Sequence, residues 1–210
     1  MSEVKEKFAA LLKESPVTAI LRGITPDEIE AACEVLVGAG IRTLEIPLNS
    51  PNAVESIARA VRCCGERAMV GAGTVTTPEE VIAVEKAGGK FIISPNTDAE
   101  VIRETKRLGL ISTPGFLTPS EGFTALKAGA DYLKLFPAGH MGLGYIKDLQ
   151  AVIKAPMVAV GGVNLQNTPE FLTRCVSVAI GSALYKAGKS LADLERDARA
   201  FVAAAKSAAR

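Results

Sequence analysis

The sequence predicts an α/β fold, a single (β/α)8 (TIM) barrel over residues 1–210 with an extra N-terminal helix. Three observations predict it. Short β-rich apolar runs alternate with amphipathic stretches along nearly the whole chain, the mark of a parallel sheet covered by helices. Eight such runs are present, averaging roughly 25 residues per unit, a minimal barrel. Polar and glycine residues collect where those runs end, which favours the barrel over an open doubly wound sheet.

A helix at 2–14 opens the chain, with acids, bases and apolar residues at helical spacing. The strands follow at 16–21 (PVTAIL), 42–46 (RTLEI), 68–72 (AMVGA), 90–93 (KFII), 109–113 (GLIST), 131–135 (DYLKL), 156–160 (PMVAV) and 176–180 (VSVAI). Between them, helices are announced by capping residues beside proline: Thr25-Pro26-Asp27-Glu28, Ser50-Pro51-Asn52, Thr77-Pro78-Glu79-Glu80, Thr118-Pro119-Ser120-Glu121 and Thr168-Pro169-Glu170. A Ser or Thr side chain accepts from an orphan amide of the first turn, and proline at the first helical position has no amide to satisfy. Glycines near 38–41, 87–90 and 128–131 supply the left-handed helix ends before the next strand. A last helix at 190–206 closes the fold, and no linker or low-complexity tract divides it.

Composition excludes several classes. Apolar residues make up 48%, charged residues 22%, and the formal net charge is +1, so no basic excess marks a nucleic-acid binder. No run of 18 or more apolar residues is present to span a membrane, and the N-terminus lacks a signal-peptide core, so a cytoplasmic location is expected. Cys33, Cys63, Cys64 and Cys175 lack metal-ligand spacing and read as reduced thiols. With a single histidine, His140, a metal centre for carbonyl chemistry is not expected, nor is a cofactor. His140 reads as a loop residue or a neighbour of a phosphate site rather than a base.

Alternation assigns the barrel interior. In Thr43-Leu44-Glu45-Ile46 the two aliphatics face the helices and Glu45 points inward. In Leu133-Lys134-Leu135 the same logic turns Lys134 inward. A structural ion pair is the competing account, yet such pairs add little net stability. An amine nucleophile explains the burial better: desolvation and nearby cations lower a lysine's pKa from ~10.4 and free its lone pair for a ketone. Glu45 is then the proton shuttle. Lys86, Lys106 and Lys127 read as solvated lysines on helical faces. Gly161-Gly162 after strand seven and Gly181-Ser182 after strand eight are the expected anion cradle, their backbone amides free to approach a phosphate. Arg22 carries a fork suited to a carboxylate or phosphate, with a surface salt bridge as the alternative. Thr74 offers a hydroxyl, with helix capping as the alternative. Pro95 ends strand four as a pocket wall.

These residues are similar to those of the 2-dehydro-3-deoxy-6-phosphogluconate and -phosphogalactonate aldolases. The segments ILRGITPDE, LEIPLNSP, VGAGTV, FIISPN, TPGFLTPSE, YLKLFPA, AVGGV and IGSALY occur in that family's order across residues 16–190. The resemblance implies a homotrimeric, metal-independent class I aldolase acting on a small phosphorylated keto-deoxy sugar acid. It implies an imine on Lys134, with Glu45 as proton acceptor and donor. It also implies substrate and phosphate contacts at Arg22, Thr74, Gly161, Gly162, Gly181 and Ser182. Pro47-Leu48-Asn49-Ser50-Pro51 and Val160 before Gly161 resemble the galactonate branch, which implies the C4 epimer of the gluconate substrate. The rival readings are the gluconate-specific enzyme and a phosphosugar isomerase or epimerase on the same barrel.

Overall fold

The computed structural model describes residues 2–208. Its elements run α1 (Glu3–Glu14), β1 (Val17–Ile20), α2 (Ile29–Gly38), β2 (Thr43–Pro47), α3 (Ala53–Cys64), β3 (Met69–Gly73), α4 (Pro78–Lys86), β4 (Phe91–Ile93), α5 (Ala99–Arg107), β5 (Ile111–Thr113), β6 (Gly115–Phe116), α6 (Pro119–Ala128), β7 (Leu133–Leu135), α7 (Ala138–Val152), β8 (Met157–Val160), α8 (Thr168–Leu172), β9 (Ser177–Ile180) and α9 (Leu191–Ser207). Every expected strand is present.

One parallel sheet of nine strands runs in the order β5-β4-β3-β2-β1-β9-β8-β7-β6. Its two edges are consecutive in the chain, separated only by Pro114. The fifth strand of an eight-stranded barrel is therefore split. Its first half pairs with β4 and its second with β7, where Gly115 lies opposite Lys134. Pro114 has no amide to donate, but its carbonyl still accepts from Lys134 N at 2.9 Å. The ring of strands closes through the covalent chain.

Two apolar clusters sort the side chains. The larger packs the outward strand faces, including Leu44, Ile46, Leu133 and Leu135, against the helices. The smaller fills the barrel interior with Ile20, Met69, Phe91, Ile93, Ile111, Tyr132, Val158, Val160 and Ala179, joined by Phe8 and Leu12 of α1. The N-terminal helix thus plugs the bottom of the barrel. Phe8 meets the rings of Phe91 and Tyr132, each at 5.3 Å between centroids. Asp131 ties the plug in place, accepting from Lys5 at 3.0 Å and Lys106 at 2.6 Å. Lys106 is accordingly a structural cation rather than the freely solvated lysine expected, whereas Lys86 and Lys127 are exposed.

The helix starts follow the predicted chemistry where the cap geometry is standard. Thr77 and Thr118 each close a capping box with the glutamate three residues on, Glu80 and Glu121. Two starts differ. Thr25 and Pro26 lie in a turn whose Glu28 carboxylate accepts from Thr25 N and Oγ1, so α2 begins only at Ile29. Thr168 lies inside α8, whose cap position is Asn167, because Asn164 and Asn167 hydrogen-bond one another and fix the preceding turn. Among the described residues no helix is long and apolar enough to cross a membrane.

Candidate active site

At the C-terminal mouth of the barrel lies a cavity of about 520 Å³. Its wall holds Arg22, Glu45, Thr74, Pro95, Lys134, Val160, Gly161, Gly162, Gly181 and Ser182, so all ten residues singled out from the sequence converge there. His140 lies outside it, exposed in the first turn of α7.

Lys134 and Glu45 are buried, 7% and 1% exposed. They form no direct ion pair, and Glu45 Oε2 has no hydrogen-bond partner in the protein. Burial dominates both. It pushes the lysine below its ordinary value, opposed by the Glu45 charge and assisted by Arg22. It pushes the glutamate up, against the pull of Lys134 and Arg22. Each group is thereby shifted toward its neutral form, an amine with a free lone pair beside a carboxyl able to carry a proton. The Phe136 ring, 5.2 Å from Lys134 Nζ at its centroid, offers the ammonium form a partial substitute for water.

Glu45 reaches its place because β3 leaves space for it. Gly71 and Gly73 occupy inward positions of that strand, with Gly71 paired to Glu45. A Cβ at Gly73 would overlap Glu45 Oε1, and one at Gly71 would overlap the carbonyl and ring of Phe91. A Gly73→Ala chain should therefore fold with a displaced carboxylate and lose on the order of 10²-fold in kcat, the lower end for a proton-transfer group. Steady-state kinetics beside a circular dichroism spectrum check this.

The two glycine-rich strand ends expected to hold an anion are built from close backbone approaches. Gly161 and Gly162 hold φ of +85° and +73°, a region that disfavours any side chain. A Cβ on Gly139 would lie 2.8 Å from Gly162 Cα, so α7 starts directly against the glycine pair. Gly139 N donates to Gly161 O at 2.8 Å, and the Asn167 side chain donates to Gly162 O at 3.0 Å. Those bonds occupy carbonyls. Among the described residues the amides of Gly161, Gly162, Gly181 and Ser182 have no protein acceptor.

Arg22 donates to Asn49 Oδ1 at 2.5 Å and, at the limit of 3.5 Å, to Thr74 Oγ1. Among the described residues it makes no salt bridge, so the surface-pair alternative finds no partner there. Thr74 does not cap α4, since Thr77 does; instead it sits at the cavity with φ of +57°, a strained conformation for a β-branched residue. Such strain is held where surrounding structure requires it.

Sequence reasoning missed several lining residues, among them Phe136, Asn164 and Lys186. Lys186 follows Gly181-Ser182 by one helical turn, a spacing that was readable. With it, the cavity holds three basic side chains, Arg22, Lys134 and Lys186, and one acidic one, Glu45. That excess suits a ligand bearing more than one negative charge. No cluster of three His, Cys, Asp or Glu side chains converges among the described residues to hold a metal.

A buried lysine sharing one cavity with a buried carboxyl at the C-terminal mouth of a parallel barrel is the arrangement of an enzyme that can handle a carbonyl through an amine. The chain belongs to the KDPG and KHG aldolase family, whose sequence pattern matches residues 8–197. It is 44% identical to the 2-dehydro-3-deoxy-6-phosphogalactonate aldolase of Escherichia coli K12, over 90% of this chain and 94% of that one. A solved structure described as native KDPGal superposes with a TM-score of 0.90 at 44% identity, covering 92% of this chain and 96% of that one. The KDPG aldolase of Legionella pneumophila, solved with pyruvate held as a covalent carbinolamine, gives 0.80 at 25% identity, over 95% and 97% of the two chains.

Proposed function

We propose that this chain is a class I aldolase that cleaves 2-dehydro-3-deoxy-6-phospho-D-galactonate to pyruvate and D-glyceraldehyde 3-phosphate. The observation that carries the reading is Lys134, buried on the inner face of β7 in one cavity with the buried carboxyl of Glu45. The substrate's phosphate lies on the amides of Gly161, Gly162, Gly181 and Ser182, and Arg22 and Thr74 orient its carboxylate. Pro95 and Val160 wall the carbon chain.

Neutral Lys134 adds to the C2 ketone to form a carbinolamine. Glu45 protonates the departing hydroxyl, water leaves, and a protonated imine results. Glu45 then accepts the C4 hydroxyl proton; the C3–C4 bond breaks, its electron pair flows into the imine, and D-glyceraldehyde 3-phosphate departs. The enamine is protonated at C3, and water hydrolyses the imine to release pyruvate and restore the amine. Electrons need no external acceptor, because the iminium stores and returns them.

The test is reductive trapping. Sodium borohydride with pyruvate should attach three carbons to Lys134, read by peptide mass spectrometry. No adduct, or one on another lysine, overturns the assignment. The galactonate preference rests on Pro47-Leu48-Asn49-Ser50-Pro51, on Val160, and on the name carried by the 44% identical relative. Cleavage of the two C4 epimers side by side decides it, and a higher kcat/KM for the gluconate epimer would reverse it.

The homotrimer follows the family resemblance, and exposed Phe123, Phe136 and Val152 give such an assembly apolar surface to cover. Light scattering should return three times the 21.9 kDa chain mass. We place the enzyme in the cytoplasm, where its four free cysteines suit a reducing environment.

A further inference from the structure

Among the described residues Arg22 is held by neutral acceptors alone. Arginines 42, 59, 67, 107, 196 and 199 pair with carboxylates, while Arg62, Arg103 and Arg174 do not and line no such cavity. Nor does Arg22 pair with one, although Glu45 lines the same cavity. Its short bond goes to the amide oxygen of Asn49 at 2.5 Å.

Asn49 is itself fixed. It occupies the third position of a turn closed by Ser50 N donating to Pro47 O at 2.9 Å, and Leu48 N donates to Gly73 O at 2.8 Å. Ser50 Oγ in turn accepts from Gly23 N at 2.9 Å, so the loop after β2 grips Arg22 and its neighbour together. A carboxylate in place of Asn49 would orient the guanidinium at least as firmly, but would spend its charge on the protein. An amide oxygen aims the fork and leaves the full positive charge facing the cavity.

We propose that Asn49 is a positioning residue that aims Arg22 at the carboxylate of the substrate while keeping the arginine's charge uncompensated. The proposal rests on the aldolase reading above. Two effects follow from the free charge. It attracts the anionic substrate, and it shares the cavity with Lys134, where its charge favours the neutral amine. The charged groups facing Lys134 there are Glu45, Arg22 and Lys186. Burial lowers the Lys134 pKa most, Glu45 favours the ammonium, and Arg22 opposes it.

Two variants separate orientation from charge. Asn49 is exposed at the turn, so both substitutions leave the core untouched. Asn49→Ala removes the acceptor and should raise KM about 3–10-fold, the usual range for one charge-assisted hydrogen bond, with the pH profile of kcat/KM unmoved. Asn49→Asp keeps the acceptor but pairs with Arg22. It should raise KM about 10–100-fold and move the limb of the profile that reports Lys134 to higher pH. Borohydride trapping of the wild-type protein with pyruvate runs alongside. If the wild type traps no pyruvate on Lys134, the aldolase reading falls. If it traps normally while Asn49→Asp matches the wild type, or loses no more than Asn49→Ala with an unmoved profile, the proposal for Asn49 is overturned and the aldolase reading stands.

Discussion

Lys134→Met should lose on the order of 10⁴-fold or more in kcat while melting at a higher temperature than the wild type. Loss of a covalent nucleophile leaves only binding and electrostatics to act on the substrate, and losses of that size are the rule for such groups. The stability gain comes from the same burial. Lys134 is 7% exposed and its folded-state pKa lies below its ordinary 10.5, with desolvation the main cause. For a cation depressed in this way, the folded state is at no disadvantage above 10.5, where the amine is neutral folded or unfolded. The penalty enters as pH falls below 10.5 and is complete once pH has passed through the folded value. Methionine has nearly the same length, points to the inner face as Lys134 does, and carries no charge to desolvate. The Phe136 ring returns only about 0.5–1 kcal/mol to the ammonium. Each kcal/mol regained raises Tm by ~2–4 °C at this chain length. Thermal melts at neutral pH with coupled cleavage assays measure both quantities. Turnover above a hundredth of the wild-type rate, or a lowered Tm, would mean that Lys134 serves the fold rather than the chemistry.

The legible parts of this molecule are those written in local periodicity. Alternation within Leu44-Glu45-Ile46 and Leu133-Lys134-Leu135 assigns both inward groups, because each polar residue is flanked by aliphatics that pack outward. The capping boxes at Thr77 and Thr118 are equally local. What escaped depends on register between strands or on side chains meeting across loops. The split of the fifth strand follows from where Pro114 falls against β4 and β7. The empty inner positions at Gly71 and Gly73 acquire meaning only when Phe91 and Glu45 are known to fill them. Asn167 takes the cap position expected of Thr168 because Asn164, three residues earlier, is its partner. Lys106 joins a buried Asp131 beneath the N-terminal helix, a contact that ties α1, α5 and β5 to the segment before β7. The site is thus readable as a set of residue types, while the reasons they fit together lie in the closure of the barrel.

Glu45→Gln should separate the proton-transfer role from the nucleophile. Gln matches the carboxylate in shape but neither accepts nor returns a proton, so kcat should fall about 10²–10⁴-fold, the range for a positioned general acid–base. Trapping of pyruvate on Lys134 should slow without vanishing, since water remains able to carry the dehydration step. Stability should again move against activity. Glu45 is 1% exposed, its folded-state pKa lies above its ordinary 4.5 because of burial, and Oε2 lacks a protein partner. A carboxyl raised in this way contributes stability that is fully present below 4.5, where it is protonated folded or unfolded, and that is lost as pH rises through the folded value. The glutamine side chain carries no such loss. The Tm difference between variant and wild type should therefore be small near pH 4 and grow in the variant's favour toward pH 7. A difference independent of pH would show that hydrogen bonding rather than charge sets the effect. A kcat within about threefold of the wild type, far short of the general acid–base range, would remove Glu45 from the reaction. The two melting curves and the two rate losses bear on one physical point: the barrel keeps an amine and a carboxyl in a place where neither is comfortable charged, and the chemistry draws on that discomfort.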